Sequence, residues 1–289
     1  MQVLRLFQVL RQFYLDAPDF SLAHTLECGQ VFRWSRVGEN EYLGVIGRSI
    51  VRIRQAKTRL FVYAANPLLS PSFIKAYFDL GLDLPYIYNK IGKDKHIKDA
   101  IRKFRGLRII RQPLWECVAS FIISTYNNIP RIKGIIYNIS RCSGDRLVLD
   151  KELNYSFPTP RIVADSTLSQ LRYCGAGFRA LYLKRAARAF LKGKVDAEIL
   201  RKGPYGRAKE ILMQLDGVGQ KVADCVLLYS LGRFEAFPVD VWVKRIMQDF
   251  YFNGRERSEN NIREFAREYF GEYAGYAQQY LYHYGRNKR

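Results

Sequence analysis

Histidine is scarce in this chain of 289 residues, with three copies, and the five cysteines (Cys28, Cys117, Cys142, Cys174 and Cys225) are widely spaced with no C-x-x-C pair. That supply excludes a zinc ligand set, and an odd number of scattered thiols gives no disulfide framework. A four-cysteine iron–sulfur motif near the C-terminus is excluded as well, because Cys225 is the last cysteine. No metal and no other cofactor is expected, and the setting implied is a reducing, intracellular one. Long apolar runs are also missing: Cys117 to Ile123 is far shorter than the ~20 residues a bilayer-spanning helix requires, so no membrane attachment is expected. The opening MQVLRLFQVLRQF is amphipathic and lacks a small-residue cleavage pattern, so it reads as part of the fold. Acidic residues are in deficit, with 27 Asp and Glu against 47 Lys and Arg.

What is present is a chain with 48% hydrophobic content, enough for one large core or two moderate ones in a compact globular protein. The net charge of +20 is spread along it, +8 in residues 1–105 and +12 in the remainder, with no basic tail. Such self-repulsion is best tolerated beside a polyanion, which makes nucleic acid the leading partner class; a high pI also serves solubility alone, so charge does not decide the matter.

The pattern of the chain changes near Arg105. Between Glu41 and Tyr63 it is short and strand-like, with Val51 and Ile53 alternating against Arg52 and Arg54, as in a half-buried antiparallel sheet. Residues 66–105 are mixed, broken by Pro67, Pro71 and Pro85, with Lys90 to Lys103 reading as a charged helix face. Helical spacing then takes over. A helix opening at Pro113 carries Leu114, Cys117, Val118, Phe121 and Ile122 on one side and stops near Asn127. Others start near Arg131 and after Arg179, and cover 206–214, 220–231 and 261–284, the last open to interruption at Gly271 and Gly275. The fold class expected is α+β: a small antiparallel β-rich domain over residues 1–105 and a mostly α-helical body over 106–289.

The most informative segment is LDGVGQKVADCVLLYSL, residues 215–231. It reads as a helix–hairpin–helix spanning about 207–231, in which Gly217 and Gly219 leave hairpin amides bare and Val218 anchors the turn in the core. The helix that follows aims its N-terminal N–H groups outward, where a DNA phosphate can be held without base contact. Lys221 opens that second helix, and nineteen positions later P-V-D places Asp240 as N-cap of VWVKRIMQDF. A lysine attacks an anomeric carbon only when unprotonated, a form favoured by desolvation and neighbouring cations, and a carboxylate can move a proton or balance charge developing on a sugar. Singly, each residue is a surface lysine or a helix cap; with the hairpin they form a constellation.

The segment L-D-G-V-G-Q-K-V-A-D-C followed by F-P-V-D resembles the helix–hairpin–helix element of the 8-oxoguanine DNA glycosylases. The resemblance covers nearly the whole chain, through C-G-Q-V-F-R-W at 28–34, R-Q-P-L-W-E-C-V-A-S-F-I at 111–122, Y-N-N-I-P-R-I at 126–132, L-R-Y-C-G-A-G-F-R-A at 171–180 and A-G-Y-A-Q-Q-Y-L-Y at 274–282. It implies a TBP-like N-terminal domain and a bifunctional enzyme in which Lys221 forms a Schiff base with C1′ and nicks the strand by β-elimination, with Asp240 as its catalytic partner. The base is extruded from the duplex and read in a pocket. There Gly29 supplies the carbonyl that accepts N7–H of the oxidised guanine, Gln278 reads its Watson–Crick edge, and Cys225 and Tyr282 sandwich the ring. Across the duplex Arg131 and Arg179 match the pair that grips the orphaned cytosine, Phe178 the wedge beside it, and Asn127 and Asn128 the residues lining the gap.

Two positions depart from the family pattern. Tyr126 stands where a run of three Asn begins, which loosens the expected cytosine preference. Trp242 stands where the family often has a phosphate-contacting His, adding an indole donor to the phosphate-binding set of Gly217, Val218 and Gly219. The expected partner is double-stranded DNA carrying 8-oxoguanine, met by a monomer in the cytoplasm and nucleoid or in the nucleus. Two alternatives are a helix–hairpin–helix glycosylase for another damaged base, such as an oxidised pyrimidine or an alkylated purine, against which Gly29 and Gln278 stand because a pyrimidine reader has no use for an N7 acceptor, and a non-catalytic damaged-DNA-binding protein, which needs neither Lys221 nor Asp240.

Overall fold

The computed structural model describes residues 10–66 and 69–287. Residues 1–9 of the amphipathic opening and the breaker Pro67 lie outside the described residues. The rest of that opening, Arg11–Asp16, is strand β1, with Leu15 turned into the core. Helix α1 (Leu22–Glu27) follows, then β2 (Trp34–Gly38), β3 (Glu41–Ile46), β4 (Ser49–Ala56) and β5 (Arg59–Ala64). These five strands form one antiparallel sheet in the order β1-β5-β4-β3-β2. The alternation holds: Val51 and Ile53 are buried while Arg54 is exposed. Gly44 is required where β3 crosses Trp34, since a Cβ there would lie 2.3 Å from the indole. Helix α2 (Pro71–Tyr77), N-capped by Ser70, closes the sheet's core with Ile74, Tyr77 and Phe78.

The charged stretch expected as one helix face is two helices, α3 (Leu84–Ile91) and α4 (Lys95–Lys103), because Gly92 ends the first and the Asp94 side chain caps the second. Ile87, Ile91 and Ile97 pack into the large helical core, so this pair belongs by packing to the body. After α4 come α5 (Leu114–Ser124), with Pro113 as its N-cap residue, and α6 (Ile129–Ser143). A short hairpin absent from the sequence expectation, β6 (Arg146–Leu149) and β7 (Glu152–Tyr155), stands between α6 and α7 (Pro160–Asp165). Then follow α8 (Leu168–Tyr173), α9 (Arg179–Leu191), α10 (Ala197–Lys202), α11 (Tyr205–Met213), α12 (Gln220–Tyr229), α13 (Val241–Tyr251), α14 (Glu259–Phe270) and α15 (Ala274–Arg286). Gly271, with φ +68°, breaks α14 from α15 as its conformational freedom allows. Gly275 does not interrupt: it lies within α15, where a Cβ would fall 2.4 Å from Leu228.

Two buried ion clusters fix the layers around the site. Asp224 of α12, fully buried, takes Lys209 of α11 at 2.8 Å and Arg263 of α14 at 3.0 Å. Arg33 reaches Glu116 of α5 at 3.5 Å and donates to Ser140 Oγ of α6 at 2.5 Å, tying the segment before β2 to the helical body. Each charge buried here has its counter-charge in place, so loss of one partner is costly.

Candidate active site

The hairpin is built from its two glycines in different ways. Gly217 has φ +80° and sits where a Cβ would meet the Tyr182 ring at 2.8 Å, so both its conformation and its space demand glycine. Gly219 has φ −88° and open space around it; it needs no left-handed backbone, and its contribution is an unshielded approach to the start of α12. Val218 is 5% exposed and its N–H closes on Leu215 O at 3.0 Å, the core anchor expected. No side chain caps α12, so its first N–H groups remain available to an anion.

One helical position past that bare start, Lys221 turns toward the end of α5. Its Nζ donates to Ser124 Oγ at 3.2 Å, while the Ser124 hydroxyl donates to Phe121 O at 2.7 Å, and Nζ lies 5.2 Å from the Phe121 ring centroid. Asp240 caps α13, its Oδ1 accepting from Val243 N at 2.8 Å, behind the buried Pro238 and Val239. Both residues line one cleft of about 310 Å³, which also takes in Gly29, Asn127, Asn128, Cys225, Trp242, Gln278 and Tyr282. Of the described residues that line the cleft, Lys221 is the one lysine. The Cys225 thiol is pushed up to about 12 by burial, against the opposing pull of Lys221, which keeps it neutral. Burial, then Asp240, raises the Tyr282 hydroxyl, which is neutral for the same reason.

Gly29 is flanked by two anchored neighbours, Gln30 after it and Cys28 before it. The Gln30 amide donates to Thr25 O at 2.9 Å and Arg108 O at 2.8 Å and accepts from Ile110 N at 3.0 Å. On the other side Gln279 donates to Cys28 O at 2.9 Å. Gly29 itself has φ +86°, and a Cβ would sit 3.3 Å from the Tyr282 ring and 3.4 Å from the Arg286 guanidinium. Tyr229 OH donates to Gln279 Oε1 at 2.6 Å and lies 3.3 Å from Gln278 Oε1, so the two neighbouring glutamines divide their work: Gln279 holds the wall and Gln278 faces the cleft. Sequence reasoning missed Gln30, Gln279, Tyr229, Ser124 and Arg286. The available signal was two amide side chains, Gln30 and Gln279, in otherwise apolar or aromatic company, where a buried amide must be hydrogen-bonded.

Beyond the cleft's edge runs a rim. Asn127 caps the end of α5 through Ile123 O at 3.1 Å and Asn128 caps the start of α6 through Arg131 N at 3.0 Å. Arg131 and Arg179 were expected as an equal pair, and the structure makes them unequal. Arg131 is exposed, whereas Arg179 is 3% exposed and spends Nε on Thr125 O at 2.9 Å and Nη2 on Thr125 O and on Tyr126 O at 3.1 Å. Phe178, 55% exposed, lies under the Arg179 guanidinium at 4.3 Å. Tyr126, Arg131, Phe178 and Arg179 stand outside the cleft lining, as do Gly217, Val218 and Gly219, while Trp242 lies inside it. Among the described residues no group of His, Cys, Asp and Glu could hold a metal ion, and no helix is long and apolar enough to cross a membrane.

The family model for the N-terminal domain of 8-oxoguanine DNA glycosylases matches residues 12–118, and the model for the HhH-GPD superfamily of base excision DNA repair proteins matches residues 119–272. A probable N-glycosylase/DNA lyase of Methanothermobacter thermautotrophicus is 34% identical over 233 residues, covering 74% of this chain and 74% of its own length. Among solved structures, MBOgg1 in complex with a low-affinity DNA ligand superposes with a TM-score of 0.92 at 36% identity, over 96% of each chain. The Clostridium acetobutylicum 8-oxoguanine glycosylase/lyase, in complex with duplex DNA containing cytosine opposite 8-oxoG, superposes with a TM-score of 0.89 at 34% identity, over 96% of this chain and 98% of that one.

Proposed function

The chain belongs to the 8-oxoguanine DNA glycosylases of the helix–hairpin–helix superfamily, and from that we propose how its own residues carry the reaction. It is a bifunctional DNA glycosylase and abasic-site lyase for 8-oxoguanine, and its partner is DNA. The observation that carries the residue assignment is the single cleft shared by Lys221, Asp240, Gly29 and Gln278.

With the damaged base turned into the cleft, the Gly29 carbonyl accepts N7–H, which oxidised guanine has and guanine lacks. One such bond contributes only about 0.5–1.5 kcal/mol net, so rejection of guanine rests on its N7 lone pair facing that carbonyl unpaired. Gln278 Oε1 keeps a lone pair for the N1–H edge, and Cys225 and Tyr282 cover the ring faces. The Lys221 amine attacks C1′, the C1′–N9 bond breaks and its electron pair leaves with the base. The uncapped carboxylate oxygen of Asp240 opposes positive charge on the sugar in the transition state. The aminal so formed loses its amine proton as the C1′–O4′ bond opens and O4′ takes up a proton; the resulting Schiff base acidifies C2′, and loss of a C2′ proton expels the 3′ phosphate by β-elimination, nicking the strand on the 3′ side. The bare start of α12, with Gly217, Val218, Gly219 and the Trp242 indole, grips phosphate, and Arg131 reads the orphaned base, with preference for cytosine, while Arg179 braces the turn beside it. The protein acts as a monomer, without cofactor, wherever the cell keeps its DNA, nucleoid or nucleus.

Base release and strand nicking, measured separately on a duplex with one 8-oxoguanine opposite cytosine, test the assignment. Lys221→Gln loses both steps yet binds the duplex; retained nicking in that variant removes Lys221 from the role of nucleophile.

A further inference from the structure

Tyr126 is the most exposed large hydrophobic side chain described, at 92%, and it occupies a left-handed backbone conformation, φ +50°. Of the seven described non-glycine residues with positive φ, five are Asp or Asn, the types that tolerate it; Tyr126 is the one aromatic. In the free protein the ring is almost fully solvated, so packing does not account for an aromatic at a position suited to asparagine. The turn that carries it is nevertheless rigid. Buried Arg179 clamps the carbonyls of Thr125 and Tyr126 from below, Asn127 is tied to Ile123 O, and Asn128 to Arg131 N. The ring is therefore held out from the chain immediately before Asn127 and Asn128, which line the cleft, and the rim bears a second exposed ring in Phe178 on the same guanidinium.

A base that leaves the helix for the cleft leaves a gap bounded by π-faces. Stacking on an aromatic side chain is favourable with any base, and a tyrosine has no amide to hydrogen-bond an orphan base on two edges. We infer that Tyr126 is a stacking plug: its ring enters the space vacated by 8-oxoguanine and stacks on the flanking base pair, so that the gap is held by stacking and the opposite base is read by Arg131. This rests on the glycosylase reading above.

The test uses the whole protein and a duplex with a tetrahydrofuran abasic site opposite cytosine, with 2-aminopurine next to the gap. Wild type and Tyr126→Phe are expected to bind alike and to quench the 2-aminopurine. Tyr126→Ala and Tyr126→Asn are expected to bind roughly 5- to 150-fold more weakly, the range that corresponds to one lost base–aromatic stack, and to leave the fluorophore bright. Tyr126→Asn also suits the left-handed turn, so its thermal midpoint should be no lower than wild type, which separates loss of the plug from loss of fold. Ala and Asn variants that bind within twofold of wild type with the same quenching overturn the plug and leave the glycosylase reading standing. A wild-type protein that releases no base from 8-oxoguanine DNA overturns that reading itself.

Discussion

Gln279 of α15 donates to the carbonyl of Cys28 at 2.9 Å, joining two residues 251 positions apart. Through this bond the last helix sets the backbone that presents Gly29 to the cleft, while Gln279 accepts from Tyr229 of α12, the helix that carries Lys221. The backbone at Gly29 and the helix that carries Lys221 thus share one buried hydrogen-bonded junction.

Replacing Gln279 with Leu leaves Cys28 O and Tyr229 OH buried without that partner. A buried polar group left unpaired costs about 1–3 kcal/mol, so denaturant unfolding should show a loss of that order, with 8-oxoguanine release impaired more than binding of undamaged duplex. An unchanged unfolding midpoint would show that the junction is not what holds the wall.

Gly29→Ala tests the wall without touching the lysine. The added Cβ meets Tyr282 at 3.3 Å and the φ of +86° disfavours any L side chain. Release of 8-oxoguanine should fall roughly tenfold or more, on the scale of about 1–3 kcal/mol of strain, while nicking of a preformed abasic site stays close to wild type. If both activities fall together, Gly29 serves the fold as a whole and not the base.

The parts of this molecule that could be read in the sequence are those written in local chemistry. Gly217 and Val218 punctuate the hairpin, Asp240 caps the helix that follows it, and Val51 and Ile53 alternate in β4. What could not be read depends on long-range partners. Gln279 and Gln278 are adjacent and chemically identical, and only the position of Tyr229 decides which holds the wall and which faces the cleft. Arg179 looks like a second free guanidinium until the carbonyls of Thr125 and Tyr126 turn inward upon it. The split of residues 90–103 was missed because the charged face hides Asp94, whose carboxylate caps α4. The β6–β7 hairpin has four-residue strands, too short for alternation to stand out.

Stability should fall as pH drops below the ordinary histidine range. His283 lies buried against Phe104 at 4.1 Å, and burial, with the nearby His24, Arg286 and Lys103, lowers its pKa to about 4 from the ordinary 6.5. The unfolded chain therefore takes up a proton near pH 6.5 that the native state refuses until about pH 4. Stability is complete above the unfolded value and is lost through that window at about 1.4 kcal/mol per pH unit. Burial lowers His24 as well, in the same direction. Unfolding free energies between pH 7 and 5 should decline in wild type and decline less in His283→Leu; parallel curves would remove His283 as the cause.

Binding to duplex should weaken steeply with salt, given a net charge of +20 and the uncapped start of α12 proposed to hold phosphate. Each neutralised phosphate contributes about −0.9 to the slope of log K against log salt. Arg131→Ala should narrow the spread of excision rates opposite C, T, G and A with little change in that slope, and the wild-type spread itself should be modest because Tyr126 replaces an amide. A strict preference for C in wild type would contradict the assignment of opposite-base reading to Arg131 alone.

The central claim is that the Lys221 amine attacks C1′ of the damaged nucleotide, and borohydride trapping tests it most directly. Incubated with duplex holding one 8-oxoguanine opposite cytosine and then reduced, wild type should yield a covalent protein–DNA adduct that is absent with undamaged duplex and absent in Lys221→Gln. Base release without any adduct, or an adduct that survives in Lys221→Gln, would contradict it.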